Sequence, residues 1–405
     1  MAVGSPPPVD IAPVAGFRLA ALAAGIKKNQ TPDMILVAMD RPCATAGVFT
    51  RNQVVAAPVL VCRNRLPGGK ARALLVNAGN ANAGTGPQGM LDALGLCREV
   101  ADALGVPDEQ VFPASTGVIG QSLPLARMRS AIPGLVAGLR PDGWEAAARA
   151  ILTTDTFPKA RQRLCRVDGQ TVRMAGFAKG AGMIHPDMAT MLAYLFTDAA
   201  IEPRPWQVLL ERAVAQSFHC ITVDGDTSTN DTVMAFASGL AGNAPITDAD
   251  DPRAAPLAEA IDSLTRELAH LVVRDGEGAT KFITIQVTGA VSPDAARTVA
   301  MTVAQSSLFK TACFGNDPNW GRILAAVGRA GVPLKTDAIR IDLGEVTIVR
   351  GGGPDPNYTE EQGQAVMNRE EIPIRIDLGA GDAQATVWTC DLSHDYVSIN
   401  ADYRS

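Results

Sequence analysis

The chain has 405 residues, a formal net charge of −6 and a pI of about 5.4. Hydrophobic residues make up 47% of the sequence and charged residues 19%, which excludes a disordered or fibrous chain and is typical of a globular α/β enzyme. The acidic balance argues against nucleic acid and against anionic membrane surfaces as partners.

The cysteines and the N-terminus indicate the cellular compartment in which we expect the protein. Seven cysteines are scattered without a C-x-x-C pair, and only four histidines accompany them. No zinc spacing is recognisable, so we expect reduced thiols, no metal and a cytoplasmic protein. The N-terminus lacks a basic leader, and the apolar stretch near residues 19–26 is too short to span a bilayer. At this length we expect two or three subdomains.

The first half of the chain mixes strand-like and helix-like segments. Residues 59–62 and 74–76 are predicted to be extended, and residues 90–104 carry helical spacing that stops at Gly105 and Pro107. This alternation indicates a mixed α/β fold rather than a single class of element.

Two local signals follow in the chain. Asp142 can cap a helix over residues 144–151. Asp168-Gly169 predicts a tight hairpin that leads into residues 172–177. These signals place a helix and then a pair of strands in the middle of the chain.

Periodicity is stronger in the second half. Apolar residues step by four and three along residues 257–271, which places them on one face of a long helix. Residues 283–287, 339–343 and 372–378 alternate between apolar and polar side chains, as strands with one buried face do. We therefore expect a strand-rich C-terminal third and, overall, β-sheets packed against helices.

Two motifs suggest chemistry that their surroundings do not support. Residues 84–89 match G-x-G-x-x-G, but no strand leads directly into them and Pro87 removes one of the backbone donors that a dinucleotide phosphate needs. His185 and His219 each lie near suggestive residues, yet a lone histidine is more often structural than catalytic. Neither histidine is predicted to act in catalysis.

The segment from Lys179 to Leu195 runs from a loop rich in Gly and Pro directly into an apolar strand, with Thr190 at the junction. One interpretation is an ordinary loop before a buried strand. The other is a self-processing site, in which the Thr190 hydroxyl attacks the Ala189 carbonyl and scission leaves Thr190 as a new N-terminus. The freed α-amine, with an ordinary pKa of about 7.7–8.0, can then act as general base for the adjacent hydroxyl.

The second interpretation is supported by a resemblance. The run KGAGMIHPDMATMLAYLFTDA resembles the cleavage segment of the ornithine acetyltransferase family, the bifunctional glutamate N-acetyltransferases of arginine biosynthesis. Ala181 and His185 are small departures from that pattern. Further motifs agree in order along nearly the whole chain: NAGNANAGTG, STGVIG, TTDTFPK, DGDTSTND, RDGEGATKF, NDPNWGRI and the ending NADYRS.

The resemblance implies a fold and a division of the chain. The fold is that of a self-cleaving enzyme with an N-terminal threonine nucleophile, related to the DmpA/ornithine acetyltransferase-like fold. Cleavage between Ala189 and Thr190 would give an α chain of residues 1–189, which carries the oxyanion hole, and a β chain of residues 190–405. The family also implies an α2β2 heterotetramer.

The resemblance assigns roles to individual residues as well. Thr190 is the nucleophile, and the Thr116 side chain with the Gly117 backbone N–H forms the oxyanion hole. The residues implied to contact substrate are Thr156, Lys179, Thr190, Glu277, Asn400 and Ser405. Thr153 and Thr154 lie in the same motif as Thr156, so the exact threonine stays open. Val397, Ile399 and Tyr403 are candidates for docking the C-terminal tail.

The implied reaction is a ping-pong transfer of acetyl from N2-acetyl-L-ornithine to L-glutamate, with no cofactor. Whether acetyl-CoA also serves as donor stays open. One alternative is an amidohydrolase or aminopeptidase of the same self-cleaving fold, in which water resolves the acyl-enzyme. Another is an uncut protein that binds small molecules without catalysis; we favour the transferase because the motifs occur together.

Overall fold

The computed structural model describes residues 2–4, 6, 8–185 and 191–402. The helices are α1 Ala57–Arg65, α2 Gly86–Leu104, α3 Leu125–Ala137, α4 Trp144–Ala150, α5 Pro203–Ala215, α6 Ala255–Arg274, α7 Pro293–Ala304, α8 Ser307–Phe314, α9 Trp320–Gly328, α10 Glu360–Met367 and α11 His394–Asp402. The strands are β1 Phe17–Leu22, β2 Met34–Phe49, β3 Lys70–Asn80, β4 Val111–Val118, β5 Lys159–Val167, β6 Gln170–Lys179, β7 Leu192–Thr197, β8 Ile221–Thr222, β9 Thr232–Ala237, β10 Phe282–Ala290, β11 Arg340–Leu343, β12 Val346–Arg350, β13 Gly353–Pro354, β14 Glu371–Asp377 and β15 Ala383–Cys390.

These strands form two mixed sheets. The first has the order β4-β3-β2-β9-β7-β6-β5, with β1 added antiparallel to β2. Within it, β3 and β4 run parallel, as do β7 and β9. The second sheet has the order β13-β12-β11-β14-β10-β15-β8. The expected mixed α/β fold, with sheets packed against helices, is confirmed.

Strand β7 lies inside the first sheet and is buried on both faces. Ala193 and Leu195 point into a core shared with α5 and α6, whereas Leu192, Tyr194 and Phe196 point into a core on the opposite face. A strand covered on both sides is a continuous apolar run rather than an alternating one. This explains why the sequence after position 190 is so uniformly apolar.

The strongest periodic predictions are confirmed. Helix α6 buries the apolar row of residues 257–271 against β5, β6 and α5. In the second sheet β10 pairs parallel with β14, and residues 283–287 and 372–376 bury their alternating side chains in one core with α7. The hairpin between β5 and β6 turns on Asp168 and Gly169, both with positive φ, as the Asp-Gly signal requires.

Two local predictions are wrong. Residues 59–62 are helical, within α1, because a four-residue apolar run does not distinguish strand from helix and Pro58 lies at the start of that helix. Asp142 does not cap α4. The cap position is Gly143, which makes no side-chain hydrogen bond, and Asp142 instead pairs with Arg140 on the surface.

The connection between β6 and β7 contains the predicted cleavage position. The two strands pair antiparallel, with Lys179 opposite Leu192. The first sheet therefore takes β6 from the predicted α chain and β7 from the predicted β chain. The division into residues 1–189 and 190–405 would separate two neighbouring strands of one sheet without removing either strand from it.

Candidate active site

A cavity of about 70 Å³ lies where β4 and β6 end, beside the start of β9 and helix α11. It brings together five residues that the sequence predicts for one site: Thr116, Gly117, Lys179, Glu277 and Asn400. Thr190, Ala189 and Ser405 lie outside the described residues. Thr156 is not part of the described lining, whereas Thr153 and Thr154 of the same motif are.

A larger cavity of about 470 Å³ lies elsewhere, lined in part by Arg266, Arg297 and Trp388. None of the residues predicted from the sequence lines it. Size alone therefore does not identify the site, and the convergence of predicted residues favours the smaller cavity.

The end of β4 holds Thr116 and Gly117 against β3. The pairing becomes irregular at Gly79 and Asn80, and Gly117 has a φ of 130°, which L side chains rarely adopt. A Cβ at Gly117 would lie 2.3 Å from the carbonyl carbon of Gly79. Only glycine allows the two strand ends to approach this closely, and that approach fixes the Gly117 backbone at the cavity.

Lys179 is the last residue of β6 and is buried beside Thr116. Its Nζ donates to Thr116 Oγ1 at 3.4 Å. A hydroxyl has one donor and two acceptor positions, so the Thr116 O–H remains able to donate into the cavity. Burial, with the charge of Lys159, lowers the pKa of Lys179, while Asp155 and Glu277 act in the opposite direction.

A buried ion network lies behind Lys179. Lys159 Nζ donates to Asp155 Oδ1 and to Asp275 Oδ2, each at 2.6 Å, and all three side chains are fully buried. Asp155 also accepts the Gly180 N–H at 2.7 Å, so it fixes the backbone next to Lys179. Burial opposes ionisation of Asp155, but the neighbouring lysines and the backbone donor hold its pKa well below its usual range.

Thr156 belongs to this network. Its backbone N–H donates to Asp275 Oδ2 at 3.0 Å and its hydroxyl donates to the other carboxylate oxygen. Asp155, Lys159 and Asp275 were not predicted from the sequence. The spacing of Asp155 and Lys159 in TTDTFPK was the available signal, but nothing local shows that both are buried.

Glu277 follows α6 and packs against the loop after β6. Its N–H donates to the Ala181 carbonyl at 2.9 Å, and a Cβ at Gly182 would lie 2.4 Å from Glu277 Oε2. Glycine at position 182 therefore allows the carboxylate to reach the cavity. Asn400 of α11 donates from Nδ2 to Glu277 Oε2 at 2.7 Å.

The C-terminal helix is not docked as predicted. Val397 and Ile399 are exposed, Val397 at 65%, and Tyr403 lies outside the described residues. The contacts come from polar groups instead. Asn400 binds Glu277, and the Tyr396 hydroxyl donates to Asp224 Oδ2 at 3.2 Å.

The segment before β9 forms hydrogen bonds with several of these parts of the site. Asn230 Nδ2 donates to the carbonyl oxygens of Ala81 at 2.6 Å and Ser115 at 2.8 Å, so it fixes the strand that carries Thr116. Asp231 Oδ1 accepts the Met191 N–H at 3.1 Å. Both residues lie in the motif DGDTSTND, which the sequence analysis matched without assigning a role to either.

The described residues hold no group of three or more His, Cys, Asp and Glu that could bind a metal. In the same part of the chain, no helix combines the length and the apolar character needed to cross a bilayer. The G-x-G-x-x-G run lies at the start of α2, with Pro87 in its first turn. The described lining of the cavity holds a buried hydroxyl, a buried lysine and a carboxylate, and the hydroxyl with a backbone N–H can serve as donors to an oxyanion.

Comparisons with known proteins show the family of the chain. The sequence profile of the ArgJ family matches residues 18–405. The arginine biosynthesis bifunctional protein ArgJ of Methylococcus capsulatus is 52% identical over 398 residues, 98% of this chain and 97% of that protein. The protein of the same name from Gluconobacter oxydans is 50% identical over 98% of this chain and 93% of its own length.

Solved structures match as well. A crystal structure of ArgJ from Bacillus halodurans is 39% identical with a TM-score of 0.50, over 52% of this chain and 98% of that one. Ornithine acetyltransferase of Mycobacterium tuberculosis, solved with ornithine, is 38% identical with a TM-score of 0.39, over 44% of this chain and 93% of that one.

The fold, the cavity and the matched relatives define the class of protein: an enzyme, an acetyltransferase of arginine biosynthesis. The chain belongs to the ArgJ family, whose profile it matches from residue 18 to its last residue.

Proposed function

We propose that this chain transfers the acetyl group of N2-acetyl-L-ornithine to L-glutamate through an acetyl ester on Thr190, after the bond between Ala189 and Thr190 has been cut. The observation that carries the proposal is the single cavity that unites Thr116 and Lys179 with Glu277. It places the oxyanion donors beside Lys179 and also contains Glu277, so it offers both signs of charge to an amino-acid substrate.

In the first half of the cycle the Thr190 hydroxyl adds to the acetyl carbonyl while its proton passes to the Thr190 amine. The Thr116 hydroxyl and the Gly117 N–H stabilise the oxyanion. The carbon–nitrogen bond then breaks, and the amine returns the proton to the departing ornithine nitrogen. In the second half the α-amine of glutamate adds to the ester carbonyl and passes a proton to the Thr190 amine. The ester carbon–oxygen bond then breaks, the proton returns to the Thr190 oxygen, and N-acetylglutamate leaves.

The substrate's charged groups have partners in the cavity. The ammonium of Lys179 suits a carboxylate, and Glu277 suits the second amine of ornithine. Glu277 already accepts one hydrogen bond from Asn400, and a carboxylate has further acceptor positions for a ligand. Thr153 or Thr154, which line the cavity, replace Thr156 as the better candidates for a direct substrate contact.

Two findings support scission. The predicted cut lies between two paired strands, so both chains would stay in one sheet. The solved chain from Bacillus halodurans aligns over nearly its whole length with about half of this one, as a cut product would. We further propose an α2β2 heterotetramer and a cytoplasmic location, where seven free thiols are stable. Acetyl-CoA is a second possible donor, which product assays can decide.

The test is mass spectrometry of the intact chains with and without N2-acetylornithine. We expect two chains that meet between residues 189 and 190, and an acetyl adduct on the second chain. Thr190→Ala should give one uncut chain without adduct or transfer, whereas Thr190→Ser, which keeps a hydroxyl, should retain part of both. Transfer by Thr190→Ala at the normal rate contradicts the proposal. Free acetate as the sole product, without N-acetylglutamate, would favour the amidohydrolase alternative.

A further inference from the structure

Asp231 is a buried carboxyl that the mechanism above does not use. It immediately precedes β9, its residue surface is 0% exposed, and its Oδ1 accepts the Met191 N–H at 3.1 Å. The Met191 carbonyl in turn accepts the Thr232 N–H at 3.1 Å. Asp231 and its neighbour thus hold the residue that directly follows Thr190 in the chain.

The second carboxyl oxygen has no such role. Asp231 Oδ2 is buried and has no hydrogen-bond partner among the described residues. The Thr50 hydroxyl, which faces the same carboxyl, donates instead to the Ser228 carbonyl at 2.6 Å. Because a buried carboxyl oxygen without a donor is unfavourable, its retention beside a reaction centre suggests a donor that is present only in the mature enzyme.

We propose that Asp231 is a positioning residue for the nucleophile: Oδ1 orients the chain at Met191, and Oδ2 accepts a hydrogen bond from the amine that scission creates at Thr190. This rests on the proposed function. Asp231 forms and breaks no covalent bond. It stabilises the ammonium that exists while the amine holds the hydroxyl proton, the role a carboxylate plays beside a catalytic imidazolium.

The charges around Asp231 allow this role. Among the described residues the charged group that faces it is Lys179 of β6. The neutral hydroxyls of Thr50 and Ser228 also face the carboxyl and, like Lys179, act to lower its pKa. Burial raises the pKa of Asp231 well above its usual value, while the Met191 N–H and Lys179 act in the opposite direction. The charge of Lys179 is shared with Asp155 and Glu277.

A pH effect distinguishes this role from simple support of the fold. The raised pKa favours a neutral Asp231 in the uncut chain, whereas an ammonium at Thr190 favours the carboxylate, which in turn raises the pKa of that ammonium. Replacing Asp231 by a neutral residue should therefore lower the pKa of the Thr190 amine. The acidic limb of the kcat/KM profile should move to lower pH, by about one unit, even as the plateau rate falls.

The experiment compares Asp231→Asn with Asp198→Asn in the full-length protein. Asp198 is a matched control because it is also buried and accepts a backbone N–H, from Arg173 at 2.8 Å, at the far end of β7. We expect Asp231→Asn to slow precursor cleavage and to lower kcat by about 10- to 100-fold, with KM within about threefold and the acidic limb shifted. Asp198→Asn should leave all three unchanged.

Each other outcome overturns the inference. It fails if folded Asp231→Asn cleaves and turns over like Asp198→Asn, or loses activity without any shift of the acidic limb. If Asp231→Asn does not fold, Asp231→Ser takes its place, and failure of both while Asp198→Asn folds makes Asp231 a structural residue. An active Thr190→Ala variant would instead reject the proposed function, so the two failures are distinguishable.

Discussion

The cavity has two walls that are built differently. The wall formed by β4 and β6 carries Thr116 and Lys179 on buried strand ends, and the ion network around Lys159 supports it from behind. The other wall is α11, which contributes Asn400 to the cavity and none of whose residues is buried. It is attached by polar contacts such as Asn400 to Glu277.

This difference separates two tasks. Oxyanion donors must be held in place before the reaction, because a donor that moves stabilises the transition state less. A group that contacts the substrate can instead be attached more loosely, since a substrate has to enter and a product has to leave. We therefore expect changes at Thr116 to affect kcat, changes in the buried ion network behind it to affect stability, and changes in α11 to affect KM.

The largest expected effect is on stability, from Lys159→Met. The change removes the cation shared by Asp155 and Asp275, two buried carboxylates. Loss of one partner of a buried ion pair typically costs about 3–5 kcal/mol. The measurement is the free energy of unfolding in urea, with Arg149→Met as the control. Arg149 pairs with Glu145 on the surface, so its loss should cost less than about 1 kcal/mol.

The pH dependence of that stability loss tests its cause. Because the folded-state pKa of Asp155 is lowered, its ion pair stabilises the protein above the unfolded pKa of about 3.9 and is lost as the pH falls through the folded pKa. In Lys159→Met the buried Asp155 has lost that cation, so burial raises its pKa and protonation at lower pH relieves the loss of stability. The difference between Lys159→Met and the unaltered protein should therefore shrink as the pH is lowered from 7 towards 3. A difference that is constant over this range would contradict the role of the network.

The next effect is on kcat, from Thr116→Val. Valine has nearly the shape of threonine but no hydroxyl, so it removes one oxyanion donor, together with the acceptor of a long hydrogen bond from Lys179, without opening a cavity. Loss of such a donor typically costs about 2.7–4 kcal/mol of barrier, or about 10²- to 10³-fold in kcat. Steady-state kinetics should show this fall with little change in KM, and Thr116→Ser should keep most of the rate. A change confined to KM would place Thr116 in substrate binding instead.

The fold and the site residues differ in how far the sequence predicts them. Long periodic elements such as α6 and β10 follow from their residues, because burial of one face imposes the period. Thr116, Lys179 and Glu277 were assigned through a family resemblance rather than from their spacing. The structure brings these three together from distant parts of the chain.

The supporting residues could not be predicted in the same way. Asn230 reaches Ser115 across 115 positions and Asp231 reaches Met191 across 40, so their roles depend on sheet topology. Short segments failed for another reason. Residues 59–62 carry too few apolar side chains to fix a period, and Val397 in α11 is apolar without being buried.

The smallest expected effect is on KM, from Asn400→Ala, and it tests most directly whether the two walls have different tasks. The side chain donates to the carboxylate of Glu277, but it is exposed, so its loss should cost about 1 kcal/mol rather than the full value of a charged hydrogen bond. This predicts a rise of about fivefold in KM for N2-acetylornithine, with kcat and the free energy of unfolding nearly unchanged.

Ser398→Ala is the control for Asn400→Ala, because Ser398 is exposed on the same helix and its hydroxyl donates only to the His394 carbonyl among the described contacts. It should leave KM unchanged. A fall in kcat for Asn400→Ala as large as that of Thr116→Val would mean that α11 helps to hold the oxyanion side in place. The division of tasks between the walls would then be wrong, because a helix attached by exposed polar groups would be contributing to the preorganised part of the site.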